Sequence, residues 1–242
     1  MLPRVQGRGP ELRIGALRLG ERAVVAVPFT DRATAAEVRA AAARGMDVAE
    51  LRVDLFASCE PAHVLAVLPA FAGVPLLATI RCAAEGGGWK GAEGDRLALY
   101  RALLPHAGAV DVEIASAIAR DACAAAREAG VLAIGSFHDF ARTPDTAALE
   151  DVVARGRALG ADVVKIATAV AGPQDLRALA RVLVAHDDVG LIAIGMGERG
   201  AASRALFPAL GSLVTYASVE TRTAPGQLPL EELVALLRRL GS

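Results

Sequence analysis

Eight short, apolar, β-branched runs recur along this chain, and their spacing constrains its fold more than any other feature. They are AVVAVPF (23–29), VAELRVD (48–54), LLATIR (76–81), AVDVEI (109–114), LAIGSFHD (132–139), DVVKIAT (162–168), GLIAIGM (190–196) and LVTYAS (213–218). Their starts lie about 23–33 residues apart, enough for a strand, a loop, a helix and a return loop. Between them run Ala/Leu/Arg segments of helical period, such as ATAAEVRAAAARG and IARDACAAAREAG, the second stopped by Gly130. Strands this apolar, alternating with helices, predict a parallel sheet covered on both faces. Eight such units in about 220 residues fit a closed (β/α)8 barrel, the TIM-barrel architecture, better than an open sheet. Ahead of the first run, ELRIGALRLG reads as a small hairpin, so that residues 1–22 form a region closing the N-terminal end of the barrel. No linker or low-complexity tract interrupts the pattern, and residues 1–242 read as a single domain.

Charge and cysteine usage narrow the function classes. A net charge of −1 argues against nucleic acid or an anionic membrane surface as the main partner. Every apolar stretch is shorter than the roughly 18–20 residues of a membrane span, and MLPRVQGRGPELRIG lacks the apolar core of a signal peptide. Cys59, Cys82 and Cys123 are an odd, scattered set with no CxxC spacing, as expected of a reducing compartment; the expected location is cytoplasmic.

In a (β/α)8 barrel the chemistry sits at the C-terminal ends of the strands, and unusual polar residues collect there in this chain. Glu50, Arg52 and Asp54 stand at i, i+2 and i+4 and are expected on one strand face. The run 76–81 ends at Arg81, with Glu85 following in RCAAEGGGW; Asp111 and Glu113 are again two apart. The next run ends in SFHD, the following one holds Lys165, and 190–196 ends at Met196. Each has a bland reading: a strand arginine or carboxylate is commonly a structural ion pair, EGGGWKG alone is a flexible loop, and Lys165 alone is a buried partner of Asp111 or Glu113. Of four histidines, His138 alone falls at a strand's C-terminal end, while His63, His106 and His186 fall in helical or connecting segments. Taken together, charges on five neighbouring strands converge only if the barrel interior is a polar site.

The lysine sharpens that reading. Of 26 Lys plus Arg, only Lys90 and Lys165 are lysines. Arginine stays charged, whereas lysine can lose its proton and attack a carbonyl as a free amine. With a reference pKa near 10.4, only about one amine in 2,500 is neutral at pH 7. Burial lowers that pKa and nearby carboxylates raise it, and the balance stays open at this level. His138 on the adjacent run supplies a base that titrates near neutrality. The residues therefore point to an imine-forming lyase or aldolase with no cofactor and no metal, since no HxxxH or Cys/His spacing is present.

At these positions the chain resembles the type I 3-dehydroquinate dehydratases. The matching stretches are ELRVDLF (50–56), TIRCAAEGG (79–87), SFHDFARTP (136–144), VKIAT (164–168), MGERGAASR (196–204) and GSLVTYASVETRTAPGQ (211–227), in family order along nearly the whole chain. The resemblance implies a (β/α)8 barrel, a homodimer, and a hydro-lyase of the shikimate pathway acting on the small molecule 3-dehydroquinate. It also implies roles for individual residues. Lys165 forms an imine with the C3 ketone, His138 is general base and acid, and Glu85 assists His138. Arg204, Gln227 and Thr223 hold the substrate carboxylate. Glu50, Arg52 and Arg81 bind the ring hydroxyls, and Met196 packs against the ring. Thr223 stands where the family carries a serine, and TAPGQ suits a lid over the substrate. Three other readings remain open: a phosphate-binding barrel using GMGERG, a catalytically silent sensor of quinate metabolites, and a Schiff-base aldolase for another ketone.

Overall fold

The computed structural model describes residues 11–219 and 226–241. It begins with the expected hairpin, β1 (Arg13–Ile14) and β2 (Leu17–Arg18), paired antiparallel. Eight strands follow: β3 (Val24–Phe29), β4 (Val48–Arg52), β5 (Leu76–Thr79), β6 (Ala109–Glu113), β7 (Leu132–Asp139), β8 (Val163–Ala169), β9 (Gly190–Met196) and β10 (Val214–Ser218). Each falls within one residue of the start the sequence predicts, and consecutive strands pair in parallel from β3 to β9, with β10 beside β3. The sheet thus curls on itself. Its edges meet where Leu213 N–H donates to the Leu191 carbonyl (2.9 Å) and Ala193 N–H donates to Ser212 Oγ (3.0 Å). A two-residue strand, β11 (Leu228–Pro229), pairs with the end of β10.

Among the described residues eight α-helices, α1 (Ala35–Ala43), α2 (Pro61–Val67), α3 (Glu93–Leu103), α4 (Ala119–Glu128), α5 (Thr146–Leu159), α6 (Pro173–Ala185), α7 (Ser203–Ala209) and α8 (Leu230–Leu240), accompany the strands. Their ends follow local chemistry. Thr34 and Glu37 form a reciprocal capping box at α1, and Asp145 caps α5, which ends on Gly160 in the left-handed region (φ +84°). Outward strand residues such as Val25, Leu51 and Val112 pack with Leu99 and Leu103 of α3 and Leu233 of α8 in the layer between sheet and helices.

The inward residues make the site. On β4 to β8 they are apolar at the N-terminal end and polar at the C-terminal end, whereas on β9 Ile192, Ile194 and Met196 stay apolar to the mouth. Val48 is followed inward by Glu50 and Arg52, Leu77 by Thr79, and Val163 by Lys165. The apolar end is closed by the hairpin, whose Ile14 is fully buried among Val24, Val48 and Leu77. Burying that side chain stabilises the fold by about 1.5–3 kcal/mol and keeps water out of the barrel floor. The sequence expectation fails at two strand ends: the run 76–81 is extended only to Thr79, which leaves Arg81 beyond β5. The run 48–54 does not stay extended: β4 stops at Arg52, and Val53–Leu55 form a single 3-10 turn. Asp54 therefore leaves the face shared by Glu50 and Arg52. It is buried beside the barrel mouth and accepts from Arg52 Nε (3.0 Å), Arg52 Nη2 (2.8 Å) and Gly88 N–H (3.0 Å).

Candidate active site

At the C-terminal end of the barrel the polar residues line a cavity of about 550 Å³, open solvent at its mouth included. It is lined by Glu50, Arg52, Arg81, Glu85, His138, Lys165, Met196, Arg204 and Gln227, so nine of the ten expected site residues come together. The tenth, Thr223, lies outside the described residues, as does most of the expected lid.

Lys165 is buried on β8, where Ser136 of β7 pairs with it and His138 pairs with Ala167. Both side chains consequently enter the lumen, with His138 one layer nearer the mouth. Lys165 Nζ lies 2.9 Å from Asp111 Oδ2 and 4.4 Å from the centroid of the Tyr216 ring. Burial works to lower the lysine pKa, but the Asp111 charge, together with Tyr216 and Glu50, outweighs it and holds the ammonium above its ordinary value. The open balance between burial and carboxylates is thus decided for the charged form. Burial works to raise the Asp111 pKa, yet Arg81 and Lys165 pull it far below the carboxylate range.

Arg81 stands two residues beyond the end of β5 and is 4% exposed. Its guanidinium donates to Ser136 Oγ (2.6 Å) and Asp111 Oδ1 (2.7 Å), and lies 3.2 Å from Glu113 Oε1. Glu113 also accepts from the fully buried Arg96 of α3 (2.7 Å) and from Cys82 N–H (2.8 Å). Arg81 reaches the cavity, but most of its fork is committed to the two strand carboxylates, leaving less for a ligand than the resemblance implies. Glu50 accepts from Thr79 Oγ1 (2.9 Å).

His138 and Glu85 form a pair. The backbone N–H and Nδ1 of His138 both lie 2.9 Å from Glu85 Oε2. An oxygen already accepting a backbone N–H favours Nδ1 as a second donor, which leaves Nε2 as the basic nitrogen. Burial and the nearby cations Arg81 and Lys165 hold the His138 pKa well below its ordinary value, so the ring is neutral at neutral pH. Burial raises Glu85 to about 7, against the opposing pull of Arg81. The loop behind Glu85 is packed rather than flexible. A Cβ on Gly87 would stand 2.1 Å from the Arg81 carbonyl oxygen, and one on Gly88 2.3 Å from that of Asp54. Gly86, at φ +77°, lies beneath the Phe140 ring, which stacks on His138 at 6.4 Å between centroids.

Arg204 enters from α7, its Nε donating to the Gly226 carbonyl (2.9 Å) and Nη1 to that of Tyr216 (3.4 Å). Burial lowers its pKa to about 10, which leaves it charged at neutral pH. The histidines set aside by the sequence stay outside this group: His63 pairs with Asp31 (2.8 Å) and His186 with Glu150 (2.5 Å). Six lining residues were not among those expected from the sequence: Thr79, Gly86, Phe140, Ala167, Ile194 and Tyr216. Thr79 and Tyr216 were findable from strand alternation, being two residues from the inward Leu77 and Val214.

Comparison with known proteins agrees with this geometry. A family profile described as "Type I 3-dehydroquinase" matches residues 23–242. The chain belongs to the type I 3-dehydroquinase family. A curated relative named 3-dehydroquinate dehydratase from Methanococcoides burtonii is 36% identical, over 92% of this chain and 96% of its own. Another with that name, from Thermodesulfovibrio yellowstonii, is 36% identical over 82% of this chain and 87% of its own. Among solved structures, the 3-dehydroquinate dehydratase of Geobacillus kaustophilus superposes with a TM-score of 0.89 at 26% identity, covering 96% of each chain. That of Aquifex aeolicus gives 0.80 at 32% identity over 89% of this chain and 98% of its own. As a type I 3-dehydroquinase, the chain carries the (β/α)8 barrel that its strand spacing predicts.

Proposed function

We propose that this chain dehydrates 3-dehydroquinate to 3-dehydroshikimate in the shikimate pathway, through an imine on Lys165. The observation that carries the reading is the buried amine of Lys165 in a small-molecule-sized cavity, one layer below the His138–Glu85 pair. Family membership supplies the substrate class.

The charge state of Lys165 fits the reaction. An ammonium and a ketone give a protonated imine and water with no net proton change. Asp111, 2.9 Å from Nζ, therefore faces a cation at the start and at the end of imine formation. Only the neutral amine between them is disfavoured, and neutral His138, backed by Glu85, is the base that takes the proton. The amine then attacks C3 and the carbonyl electron pair moves to oxygen; that oxygen takes one proton from the carbinolamine nitrogen and a second returned through His138, and leaves as water.

With the iminium in place, His138 removes a C2 proton and the electron pair flows toward the iminium nitrogen. The enamine returns that pair to form the C1–C2 double bond, and the C1 hydroxyl departs with the proton His138 holds. Hydrolysis of the imine frees the product and regenerates Lys165. Arg204 attracts the substrate carboxylate, whose charge favours the cationic guanidinium that burial disfavours. Glu50 and Arg52 meet the ring hydroxyls, Met196 packs on the ring, and Gln227 and Thr223 close on the carboxylate side. Arg81 acts chiefly by bracing Asp111. A homodimer and a cytoplasmic location belong to the same reading; among the described residues no helix is long and apolar enough to cross a membrane.

Borohydride reduction with 3-dehydroquinate, followed by peptide mass mapping, tests the reading. A reduced adduct is expected on the peptide containing Lys165. No adduct there, or one on Lys90, overturns the assignment.

A further inference from the structure

Tyr216 has a hydroxyl that the mechanism above leaves unused. The residue stands on β10, is 4% exposed, lines the cavity and presents its ring to Lys165 Nζ at 4.4 Å. Its Oη is sealed from solvent and reaches no described residue in hydrogen-bond geometry, although Lys165 Nζ lies near enough to pull on its pKa. Buried phenol hydroxyls nearly always find a hydrogen-bond partner. Trp89 Nε1 and Arg96 Nε share that condition, but neither residue lines the cavity, and the other nitrogens of Arg96 are bonded to Glu93, Glu113 and Ser116. Tyr216 is thus an unpartnered polar group placed against the reacting amine.

Resting on the imine reading, we propose that the Tyr216 hydroxyl is a catalytic hydrogen-bond donor to the substrate's C3 oxygen, from ketone through carbinolamine. The geometry leads there in two steps. Nζ must bond to C3, and the oxygen to be expelled is bonded to that same carbon, so it develops its charge beside whatever surrounds Nζ. Asp111 on one flank is an acceptor held ionised and cannot donate to an oxygen gaining charge. The Tyr216 ring, its centroid 4.4 Å from Nζ, also lies against the amine and carries a donor. Burial raises its phenol pKa, against the opposing pull of Lys165, so the hydroxyl keeps its proton at any working pH. It donates a hydrogen bond and transfers nothing: the electron pair displaced by the Nζ–C3 bond rests on the oxygen, and the two protons of the departing water still come from the carbinolamine nitrogen and through His138. The same contact recurs when water adds to the product imine.

Tyr216→Phe tests this, because it removes an unpartnered hydroxyl and keeps the ring over Lys165, so that packing and melting temperature are preserved. Rapid-quench borohydride trapping with 3-dehydroquinate should show imine formation slowed by about 10- to 100-fold, the range for losing one donor to a developing oxyanion. With C2-deuterated substrate, the isotope effect on kcat should shrink relative to wild type, since imine formation and hydrolysis then limit turnover. KM should move little. Wild-type trapping at Lys165 together with an unchanged trapping rate and isotope effect in Tyr216→Phe overturns this proposal alone. Absence of any wild-type adduct overturns the imine reading and this proposal with it.

Discussion

Asp111 holds Lys165 and Arg81 at once, with Oδ2 2.9 Å from Nζ and Oδ1 2.7 Å from Nη2. A single fully buried carboxylate thereby touches two buried cations, and shares Arg81 with Glu113. It fixes the amine beneath the cavity and sets its charge.

Asp111→Asn removes the largest influence raising the Lys165 pKa and leaves burial to lower it. A lysine whose folded pKa is raised contributes stability that is present below its unfolded pKa and lost as pH rises through the folded value. The variant should lose that contribution and fall by about 3–5 kcal/mol in urea unfolding at pH 7, the cost of breaking a buried pair. The pH midpoint for borohydride trapping should move down. A midpoint that stays put would mean Asp111 does not control the amine.

Glu85→Gln should show the opposite pH trend. A carboxyl raised to about 7 binds its proton more tightly folded than unfolded. Wild-type stability therefore declines as pH rises from the unfolded value near 4.3 toward 7, by roughly 3 kcal/mol at most. The amide does not titrate, so its stability relative to wild type should rise between pH 5 and pH 8. Unfolding curves at those two values decide the matter, and a relative stability independent of pH would remove the shift at Glu85.

The fold was legible because its evidence is periodic. Eight apolar runs at barrel spacing located every barrel strand, and His138 and Lys165 stood out by their place on those strands. Less was legible where long-range contacts decide. Arg81 and Lys165 are 30 and 54 residues from Asp111, so the sharing of one carboxylate has no local signature. The turn at Val53–Leu55 depends on Asp54 being caught by Arg52 and by the backbone of Gly88, 34 residues away. Glycines that read as a flexible loop are there because carbonyls of Arg81 and Asp54 leave no room for a side chain. The charge of Lys165 is a contest between burial and Coulomb attraction, which only distances resolve.

Gly87→Ala probes that loop. The added methyl would meet the Arg81 carbonyl at 2.1 Å, so the backbone carrying Glu85 must shift. Overpacking of this kind costs about 1–3 kcal/mol. Displacing Glu85 from His138 should lower kcat more than it alters KM. Gly94→Ala in α3, with nothing within 4 Å, should leave both unchanged and serves as the control. Wild-type kcat in Gly87→Ala would refute the packing argument.

Arg204→Ala should act mainly on binding. Losing a charge-assisted hydrogen-bonded contact worth about 1.5–3 kcal/mol corresponds to a roughly 10- to 100-fold fall in kcat/KM, expected as a higher KM. Arg204→Lys restores the charge without the fork and should recover only part of it. Steady-state kinetics on the two variants separate these contributions, and an unchanged KM in the alanine variant would take Arg204 out of the carboxylate site.

Lys165→Arg asks whether the site needs a positive charge or an amine. Arginine can keep the contact with Asp111 and the ring of Tyr216, both of which favour a cation. The larger guanidinium costs about 1–3 kcal/mol in a packed lumen, so the chain should still fold. It cannot form the imine, because guanidinium does not release its proton at working pH. The variant should bind 3-dehydroquinate, give no borohydride adduct and show no turnover above background. Lys165→Ala differs in stability, since it leaves Asp111 with Arg81 alone, but should be equally inactive. Appreciable turnover in Lys165→Arg would show that charge alone suffices and that covalent chemistry at Lys165 is not used.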